Sequence, residues 1–593
     1  MENLEIAAVL REMADLLEIK GGVNPFRIRA YRNAVYTVEE YATPLRTLVE
    51  EGADLTELPS VGNEMASHIV ELVTTGHLSR LVELAAEIPR SLVTLIRLPG
   101  VGPKKARKLW DELGITTIDE LEAAAAAGQV AELEGFGEKT QGKILEGIVR
   151  YRARQGRFRL AEVDELIRPL LDWLRTDDAV QHVEVAGSYR RRRETVGDVD
   201  ILAISSAKQA VIDRFLAYPQ VLRVDLAGET RATVHLASEL QVDLRVLDEQ
   251  DAGAALVYFT GSKEHNIALR RRALERGLSV SEYGVFKLAA SDGVEPQEDA
   301  DLSTTGRELG ERVAGRTEQQ VYESLGLPWI PPELREQRGE IVAAERNELP
   351  QLVSLEDMRG DLQMHSDWSD GKNTIEEMLE ACVSRGYEYF ALTDHSQALA
   401  MTGGMDAEKL ARQLAAIDEI ASRHPEIRFL RSMEIDVLAD GSLDIEDGML
   451  ERLDLVVISI HSRFDLSTAD QTRRLVRAIE HPASDIVGHP TGRIIGRRDA
   501  IEFDLAEVLD CAAENHVAME CNAHPNRLDL RDTHMMEAKK RGVPIVISTD
   551  AHRVAELDLM SYGVEQARRA WLTPGDVLNA GPLEVLLSAL GRI

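Results

Sequence analysis

Cysteine is scarce in this sequence. The chain has 593 residues but three cysteines, Cys382, Cys511 and Cys521, with no CxxC pair among them. That excludes a disulfide framework and a zinc–thiolate centre. Long apolar runs are missing as well, so the sequence offers no membrane span. The opening residues, MENLEIAAVLREMADLL, carry acids and helical periodicity instead of the basic-then-apolar start of a signal peptide. Positive charge is in deficit: 68 Lys and Arg face 102 Asp and Glu, a formal net charge of -34. Net charge therefore gives the whole molecule no attraction to nucleic acid, and any such attraction has to come from local basic stripes. A hydrophobic content of 44% suits ordinary globular cores. A cytoplasmic, multidomain protein without membrane contact is the expectation.

What the sequence does contain changes character along its length. Residues 1 to about 160 read as helices joined by short glycine-bearing turns. From about 160 to 330, β-branched runs such as VEVAGS, DVDILAIS, TVHLAS and LQVDLRVL mix with helical stretches. The proline-bearing, charged stretch LPWIPPELREQRGEIVAAERNELPQLV reads as a linker. After about 355, apolar runs and helical stretches alternate regularly, which predicts a parallel α/β barrel or a doubly wound sheet.

Three segments of the first region share one plan: LPSVGNEMASHI (58–69), LPGVGPKKARKL (98–109) and LEGFGEKTQGKI (133–144). Each has a hydrophobic residue, a Gly-x-Gly-like turn and a helix start. Glycine lets a backbone approach a ligand closely, and the helix start offers amide donors to an anion. As helix-hairpin-helix motifs these turns hold a nucleic-acid backbone without reading bases, through Val61, Gly62, Gly100, Gly102, Gly135 and Gly137. The plainer alternative is a set of tight helix turns, which the repetition makes less attractive. The first copy has Ser60 where a glycine is expected.

Residues 187–202, GSYRRRRETVGDVDIL, place four arginines ahead of two aspartates. Asp198 and Asp200 flank Val199, and strand alternation puts both carboxylates on one face. Paired hard oxygens suit Mg²⁺. Asp243, polar within the apolar run LQVDLRV, is the natural third carboxylate of a two-metal centre for a primer hydroxyl and a pyrophosphate leaving group. The arginines supply charge-assisted donors for a triphosphate. The competing reading is a solvated basic loop beside a surface strand.

In order, Gly187-Ser188-Tyr189-Arg190-Arg191, Gly197-Asp198-Val199-Asp200, Asp243 and YFTGSKEHNIALRRRALERG (258–277) resemble the palm and nucleotide-binding segments of family X DNA polymerases, the polymerase beta family. The resemblance covers about residues 1–330. It implies Mg²⁺ or Mn²⁺ on the catalytic Asp198, Asp200 and Asp243, with Asp243 assisting the attacking hydroxyl. It implies Ser188 and Arg191 on the outer phosphates of a deoxynucleoside triphosphate, with Gly187 and Gly197 beside them. Tyr258, Phe259 and Gly261 line the sugar by the same similarity, and Tyr258 stands near a 2′-hydroxyl gate. Asn266 and Arg270 approach the nucleotide and the template minor groove, while Arg192 and Arg193 are left solvated or facing DNA. Lys263 departs from the vertebrate pattern, which is acidic there. It either holds the incoming nucleotide before template selection or faces solvent. NPFRIRAYRNA resembles the family's 5′-phosphate pocket, with Arg27 and Tyr31 at matching positions. His68 occupies the Schiff-base position, and Lys20 is the only lysine before Lys104. Weak or absent lyase activity with surviving 5′-phosphate binding is expected.

Ten of the 15 histidines follow residue 360. Most sit just after apolar runs, in DLQMHSDWSDG, TDHS, SMEID, SIHS, GHP, CNAHP and STDAH. The carboxyl ends of barrel strands are where active sites assemble. Mixed His, Asp and Glu donors suit Zn²⁺ or Mn²⁺, and clustered metals with a bound hydroxide hydrolyse phosphate esters. These motifs resemble the PHP (polymerase and histidinol phosphatase) domain over about 355–575. The resemblance implies up to three Mn²⁺ or Zn²⁺ ions on His365, Asp370, His395, Glu434, His461, His489, Asp550 and His552. Gln363 stands where the family's opening motif has a first histidine, which implies a looser or Mn²⁺-selective site. Arg493, Arg497 and Arg498 are candidates to grip a DNA phosphate. His424, His481, His516 and His534 read as ordinary surface histidines, and Asn522 and His524 lie near the site.

The expected architecture is multidomain α/β. It comprises an N-terminal helical DNA-binding domain (1–90), helix-hairpin-helix fingers (91–160), a polymerase beta-like nucleotidyltransferase palm (161–250) and a nucleotide-binding subdomain (251–330). A linker (331–355) and a PHP domain in the form of a distorted (β/α)7 barrel (356–593) follow. The expected function is DNA-directed synthesis by a monomer on gapped or primed double-stranded DNA, filling gaps in base excision or end joining. A metal-dependent 3′–5′ exonuclease or phosphoesterase, extending to AP endonuclease action, accompanies it. Two other readings stay open. A PHP small-molecule phosphatase leaves the palm and hairpins unexplained, and a non-catalytic DNA-end-binding scaffold needs no carboxylate triad.

Overall fold

The three glycine turns of the unit Met1–Gln155 adopt one backbone shape in the computed structural model. The structure describes residues 3–40, 45–50, 52–58, 60–98, 100–154, 156–288, 310–398 and 402–592. Ser60, Gly100 and Gly135 take φ of +60°, +83° and +88°. The next residue in each turn, Val61, Val101 or Phe136, donates its amide to Leu58, Leu98 or Leu133 at 3.0–3.1 Å. Those six side chains except Leu133 are buried, so each turn is pinned to the helical core. Gly62 and Gly102 cap the helices Asn63–Thr75 and Pro103–Leu113, and Gly137 opens Gly137–Arg154. Ser60 thus adopts the left-handed backbone that glycine adopts in the other two copies. The rest of the unit is amphipathic helix: Ile6, Leu10, Met13 and Leu17 recur at helical spacing along Asn3–Lys20 and are buried.

The unit Gly156–Ile593 starts with a five-stranded sheet. Its spatial order is His182–Val185, Asp198–Ile204, Gln241–Leu247, Arg231–Leu236, Val221–Ala227. Asp198–Ile204 and Gln241–Leu247 run parallel, and the other neighbours are antiparallel. Val199, Ile201 and Ala203 pack with the helices Leu160–Arg175 and Lys208–Leu216. The alternate residues Leu202 and Ile204 pack on the opposite face beside Ala255. Alternation therefore sends Asp198 and Asp200 to that second face.

A smaller domain follows, with strands Leu278–Ser281, Gly284–Lys287 and Arg312–Ala314 against helices Ala252–Thr260, Lys263–Glu275 and Glu318–Ser324. The stretch read as a linker is folded onto this core through Ile330, Leu334 and Ala344. Within it Arg335 and Glu340 are completely buried. Arg335 and Arg190 each donate to Glu318 at 2.8 Å, and the Trp329 indole donates to it at 2.9 Å. Its prolines and charges read as a linker, but Arg335 and Glu340 are paired inside.

From Gly360 onward, seven strands run parallel in chain order: Gly360–Asp361, Tyr389–Leu392, Arg428–Asp436, Leu455–Ser459, Ile486–Val487, Ala518–Asn522 and Ile545–Ser548. First and last are joined by a parallel bridge, Met364 to Ala551. His365 N donates to Ala551 O at 2.7 Å and Asp550 N to Gln363 O at 3.0 Å. Asp361 accepts the Thr549 hydroxyl at 2.5 Å across the same seam. The regular alternation after 355 is thus a barrel, not a doubly wound sheet, and the chain as a whole is multidomain α/β. Among the described residues no helix is long and apolar enough to cross a membrane.

Two expectations follow from these contacts. Ser60→Gly removes a left-handed cost of roughly 1 kcal/mol, so amide exchange at Val61 slows about fivefold. Burial raises the Glu318 carboxyl, but Arg190 and Arg335 together hold it down at about 2 from an ordinary 4.5. Its folded value is depressed, so its contribution is complete above the unfolded value and fades as pH falls toward the folded one. That contribution is about 3 kcal/mol. The urea midpoint of the second unit should drop across that acid window, and Glu318→Gln should lower it at neutral pH and flatten the drop.

Two candidate metal centres

The sheet-domain carboxylates are aligned by strand register. Asp200 lies opposite Asp243, and Asp198 opposite Gln241. Asp243 is buried and held by the Thr233 hydroxyl at 2.5 Å, the Gln241 amide at 2.7 Å and Arg231 at 3.5 Å. Asp198 is exposed. A Cβ on Gly187, whose φ is +67°, would stand 3.0 Å from Asp200 Oδ2, so the loop touches the carboxylate only because it lacks a side chain. Burial, then Asp198 and Asp243, push the Asp200 carboxyl up to about 7. That like-charge repulsion is what a hard divalent cation relieves, and an all-oxygen donor set fits Mg²⁺ or Mn²⁺.

The loop Gly187–Arg191 and the segment 258–261 are brought together. Arg191 Nη1 donates to Thr260 O at 2.5 Å and Nε to Glu336 at 3.0 Å. A Cβ on Gly261 would lie 3.2 Å from Arg191 Nη1. Ser188 is half-buried beside this contact in sequence. Asn266 donates to Tyr258 O at 2.6 Å, and Arg270 stands 5.4 Å from the Tyr258 ring centre. Phe259 meets Tyr258 edge-on at 5.0 Å. Lys263 is exposed at a helix start. Gly197 borders Arg157, whose Nη1 would be 3.2 Å from an added Cβ.

The arginine run is not a solvated loop. Arg192, expected to face solvent or DNA, is largely buried with Glu565 at 2.8 Å and Asp164 at 3.3 Å, and it lies over the Tyr189 ring. Both partners are distant in sequence, so local composition could not reveal them. Arg193 does remain exposed, 3.4 Å from Glu336.

In the N-terminal unit, Arg27 is ion-paired with Glu64, with Nε 3.1 Å away. Tyr31 OH lies 3.2 Å from His68 Nδ1 and 3.4 Å from Glu64. The Lys20 amine is engaged by Glu87 at 2.5 Å. A carboxylate therefore already occupies the cation expected for a 5′-phosphate.

The barrel centre is built round Glu434, whose carboxylate is completely enclosed. His395 Nδ1 and His365 Nε2 lie 3.1 and 3.5 Å from its Oε2, and His489 Nε2 and His461 Nε2 lie 3.0 and 3.4 Å from its Oε1. Asp370 adds a second focus, 3.6 Å from His395, 3.5 Å from His552 and 3.9 Å from His365. Asp550 stands 3.2 Å from His365. Three ligand groups result, each with its atoms within 4.8 Å of one another: His365, Asp370, His395 and His552; His395, Glu434 and His461; His365, Glu434 and Asp550. Among the described residues, His, Asp and Glu gather this tightly only here, and the sheet-domain triad is more open.

This arrangement fits divalent metal ions. Both Glu434 oxygens, Nδ1 of His365 and of His489, and both polar atoms of Gln363 are buried without a hydrogen bond. Unmet donors and acceptors are costly, and these belong to residues gathered at the barrel centre. His489 and Asp550 also hold left-handed backbones, φ +25° and +56°, a strain of about 1–3 kcal/mol each that ligation offsets. Glu434 itself is disfavoured by burial, yet the imidazoles hold its carboxyl well below the usual range.

Beyond Asn522 and His524, which were read as near the site, several supporting residues escaped the sequence reading. Asp436 lies 3.2 Å from His461 Nδ1 and fixes that ring. Asp394 accepts from Ser366, Ser369 and Gln413 at 2.5–2.9 Å, holding the loop that carries Asp370. It sits in TDHS, immediately before His395, where its neighbour drew the attention. Asn522 donates to Asp550 at 3.0 Å. Arg527 Nε lies 3.3 Å from Asp550, and its Nη1 is buried without a partner. His524 is enclosed nearby, its imidazole pushed down to about 4 by burial.

Two expectations are corrected. Arg493, a candidate phosphate grip, is buried and donates to the Arg527 and Leu528 carbonyls and to Glu194 at 2.7 Å. Arg498 likewise donates to Gly492 O at 2.7 Å and lies over the Phe464 ring. His534, read as a surface residue, is half-buried with Nδ1 enclosed. His516 is exposed, while His424 and His481 are half-buried beside Glu426 and Asp447.

Comparison with known proteins agrees with this layout. Family models match a helix-hairpin-helix domain at residues 1–78, a SAM-like helix-hairpin-helix tandem at 92–149, a DNA polymerase beta thumb at 255–336 and a PHP domain at 361–524. The chain is 24% identical over 362 residues to DNA polymerase lambda of Rattus norvegicus, 56% of each chain. It is 25% identical over 329 residues to DNA polymerase lambda of Arabidopsis thaliana, covering 52% of this chain and 57% of the relative. It is 37% identical over 594 residues, the full length of both, to the DNA polymerase/3'-5' exonuclease PolX of Bacillus subtilis (strain 168). With hairpins, palm sheet, thumb and metal-fitting barrel all present in one chain, this protein belongs to the family X DNA polymerases that carry a C-terminal PHP domain.

Proposed function

We propose that this chain fills short gaps in DNA with its sheet-domain triad and trims 3′ ends with its barrel. By family it is a DNA-directed DNA polymerase with a 3′–5′ exonuclease, acting on DNA and deoxynucleoside triphosphates. The observation that supports the polymerase assignment most is the parallel register of Asp200 with Asp243, with Asp198 one step along the same face. Asp198, Asp200 and Asp243 are the residues to hold Mg²⁺ or Mn²⁺. The eight barrel residues round Glu434 and Asp370 are those to hold Mn²⁺ or Zn²⁺, with Gln363 as a weak neutral ligand. Bound divalent cations supply Lewis acidity at phosphate oxygens and an acidified hydroxyl or water at both centres.

The chain's own residues do the rest. Thr233 and Gln241 fix the Asp243 carboxylate toward the primer hydroxyl. Ser188 and Arg191 take the outer phosphates, and Tyr258, Phe259 and Gly261 wall the sugar. In the barrel, Arg527 replaces Arg493 and Arg498 as the phosphate clamp, since its Nε is beside Asp550 and its Nη1 has no partner. The hairpin turns grip the DNA backbone. At the 5′-phosphate pocket Glu64 must release Arg27 before a phosphate binds, and His68 in the Schiff-base position leaves lyase activity weak or absent. Repair by base excision or end joining, abasic-site cleavage, a monomeric state and a cytoplasmic location complete the proposal.

Extension of a one-nucleotide gap and Mn²⁺-dependent digestion of a labelled 3′ end separate the two centres. Asp200→Asn should reduce extension roughly a hundredfold or more and spare digestion. Glu434→Gln should do the reverse and lower the bound manganese measured by calorimetry. Loss of both activities in either variant would contradict separate centres. Arg527→Gln should slow digestion on the order of a hundredfold while manganese content stays constant. An unchanged rate removes the clamp assignment.

A further inference from the structure

The polymerase loop Gly187–Arg193 is fastened to the barrel as well as to its own domain. The helix Met560–Arg569 lies directly on the metal-bearing strands: a Cβ on Gly563 would come within 2.5 Å of Ile547 and 2.7 Å of Ala523. Its other contacts reach the loop. Arg569 donates to the Arg191 carbonyl at 2.6 Å and to Glu336 at 3.0 Å, the same Glu336 oxygen that accepts from Arg191 Nε at 3.0 Å. Gln566 donates to the Arg192 carbonyl at 2.9 Å. Glu565 pairs with the Arg192 side chain at 2.8 Å. Tyr562 OH donates to Asp164 at 2.7 Å, and Asp164 also accepts from Tyr189 at 2.5 Å. Arg569 and Gln566 are 3% and 1% exposed, so these bonds are shielded from water.

We infer that the barrel helix Met560–Arg569 is part of the nucleotidyl-transfer site, with Arg569 and Gln566 as positioning residues for the triphosphate loop. The inference rests on the reading of Ser188 and Arg191 as triphosphate ligands. The helical turn Gly187–Arg190 is only four residues long, and Arg569 and Gln566 hold the two carbonyls that follow it. Glu336 orients the Arg191 guanidinium, and Arg569 fixes Glu336 at 3.0 Å, closer than Arg193 at 3.4 Å. Arg569 is itself steered by Asp532 at 2.8 Å, a barrel residue. The geometry makes the exonuclease domain a structural component of the polymerase active site, through hydrogen bonds to its phosphate loop.

The test measures KM for the triphosphate and kcat in gap filling, with Mn²⁺-dependent 3′ digestion as the control. Arg569→Gln should raise KM about tenfold, change kcat less, and leave digestion within about twofold. Arg191→Gln should raise KM too, and the double variant should fall short of the product of the two effects. A rise in KM with Arg191→Gln but none with Arg569→Gln overturns the inference alone. No rise with Arg191→Gln overturns the triphosphate reading on which it rests. If Arg569→Gln also loses digestion and melts early, Gln566→Met decides: a raised KM with intact digestion supports the inference, and an unchanged KM overturns it.

Discussion

A charge cannot be buried alone, and that constraint organises the unit Gly156–Ile593. Glu318 is enclosed with two guanidinium groups and an indole, so it is neutralised by the protein. Glu434 is enclosed with imidazoles, which in their neutral form offer lone pairs to a cation and cancel no charge themselves. Asp200 is half-buried beside two further carboxylates. The first kind of site is complete as folded. The other two are complete only with metal, and this difference separates scaffold from chemistry in a chain that is acidic throughout.

Both centres are aimed by strand geometry. In the palm, the two-residue period sends Val199 and Ile201 to the helix-covered core and the aspartates to the other side. In the barrel, the ligands follow the ends of successive parallel strands, so one rim collects them. Supporting residues then remove freedom: Asp436 holds an imidazole, Asp394 holds a loop, and Thr233 holds a carboxylate. Ligands and supports differ in sequence visibility because supports act through pairs of residues far apart in the chain.

That distinction governs what could be read beforehand. Strand-borne aspartates, histidines after apolar runs and repeated glycine turns are local patterns, and they were legible. Ser60 was seen to stand where a glycine is expected, but the left-handed backbone it adopts was not legible from a serine. Arginines were misread most. Arg192, Arg335 and Arg493 carry the same local signature as Arg193, yet their carboxylate or carbonyl partners lie elsewhere in the chain. Arg527 went unnoticed for the converse reason: nothing beside it in sequence advertises Asp550. The stretch 331–355 read as a linker because it is proline-bearing and charged, when two of those charges are among the most buried in the protein.

The seam that closes the barrel has a consequence for biosynthesis. His365 meets Asp550 across 185 positions of chain, and Asp361 meets Thr549 across 188. A ribosome releases the first partner long before the second, and contacts so distant in sequence form late. A nascent chain can therefore complete its hairpins while the degrading centre still lacks Asp550 and His552, two of its eight ligands. Nuclease competence arrives with the last strand of the barrel.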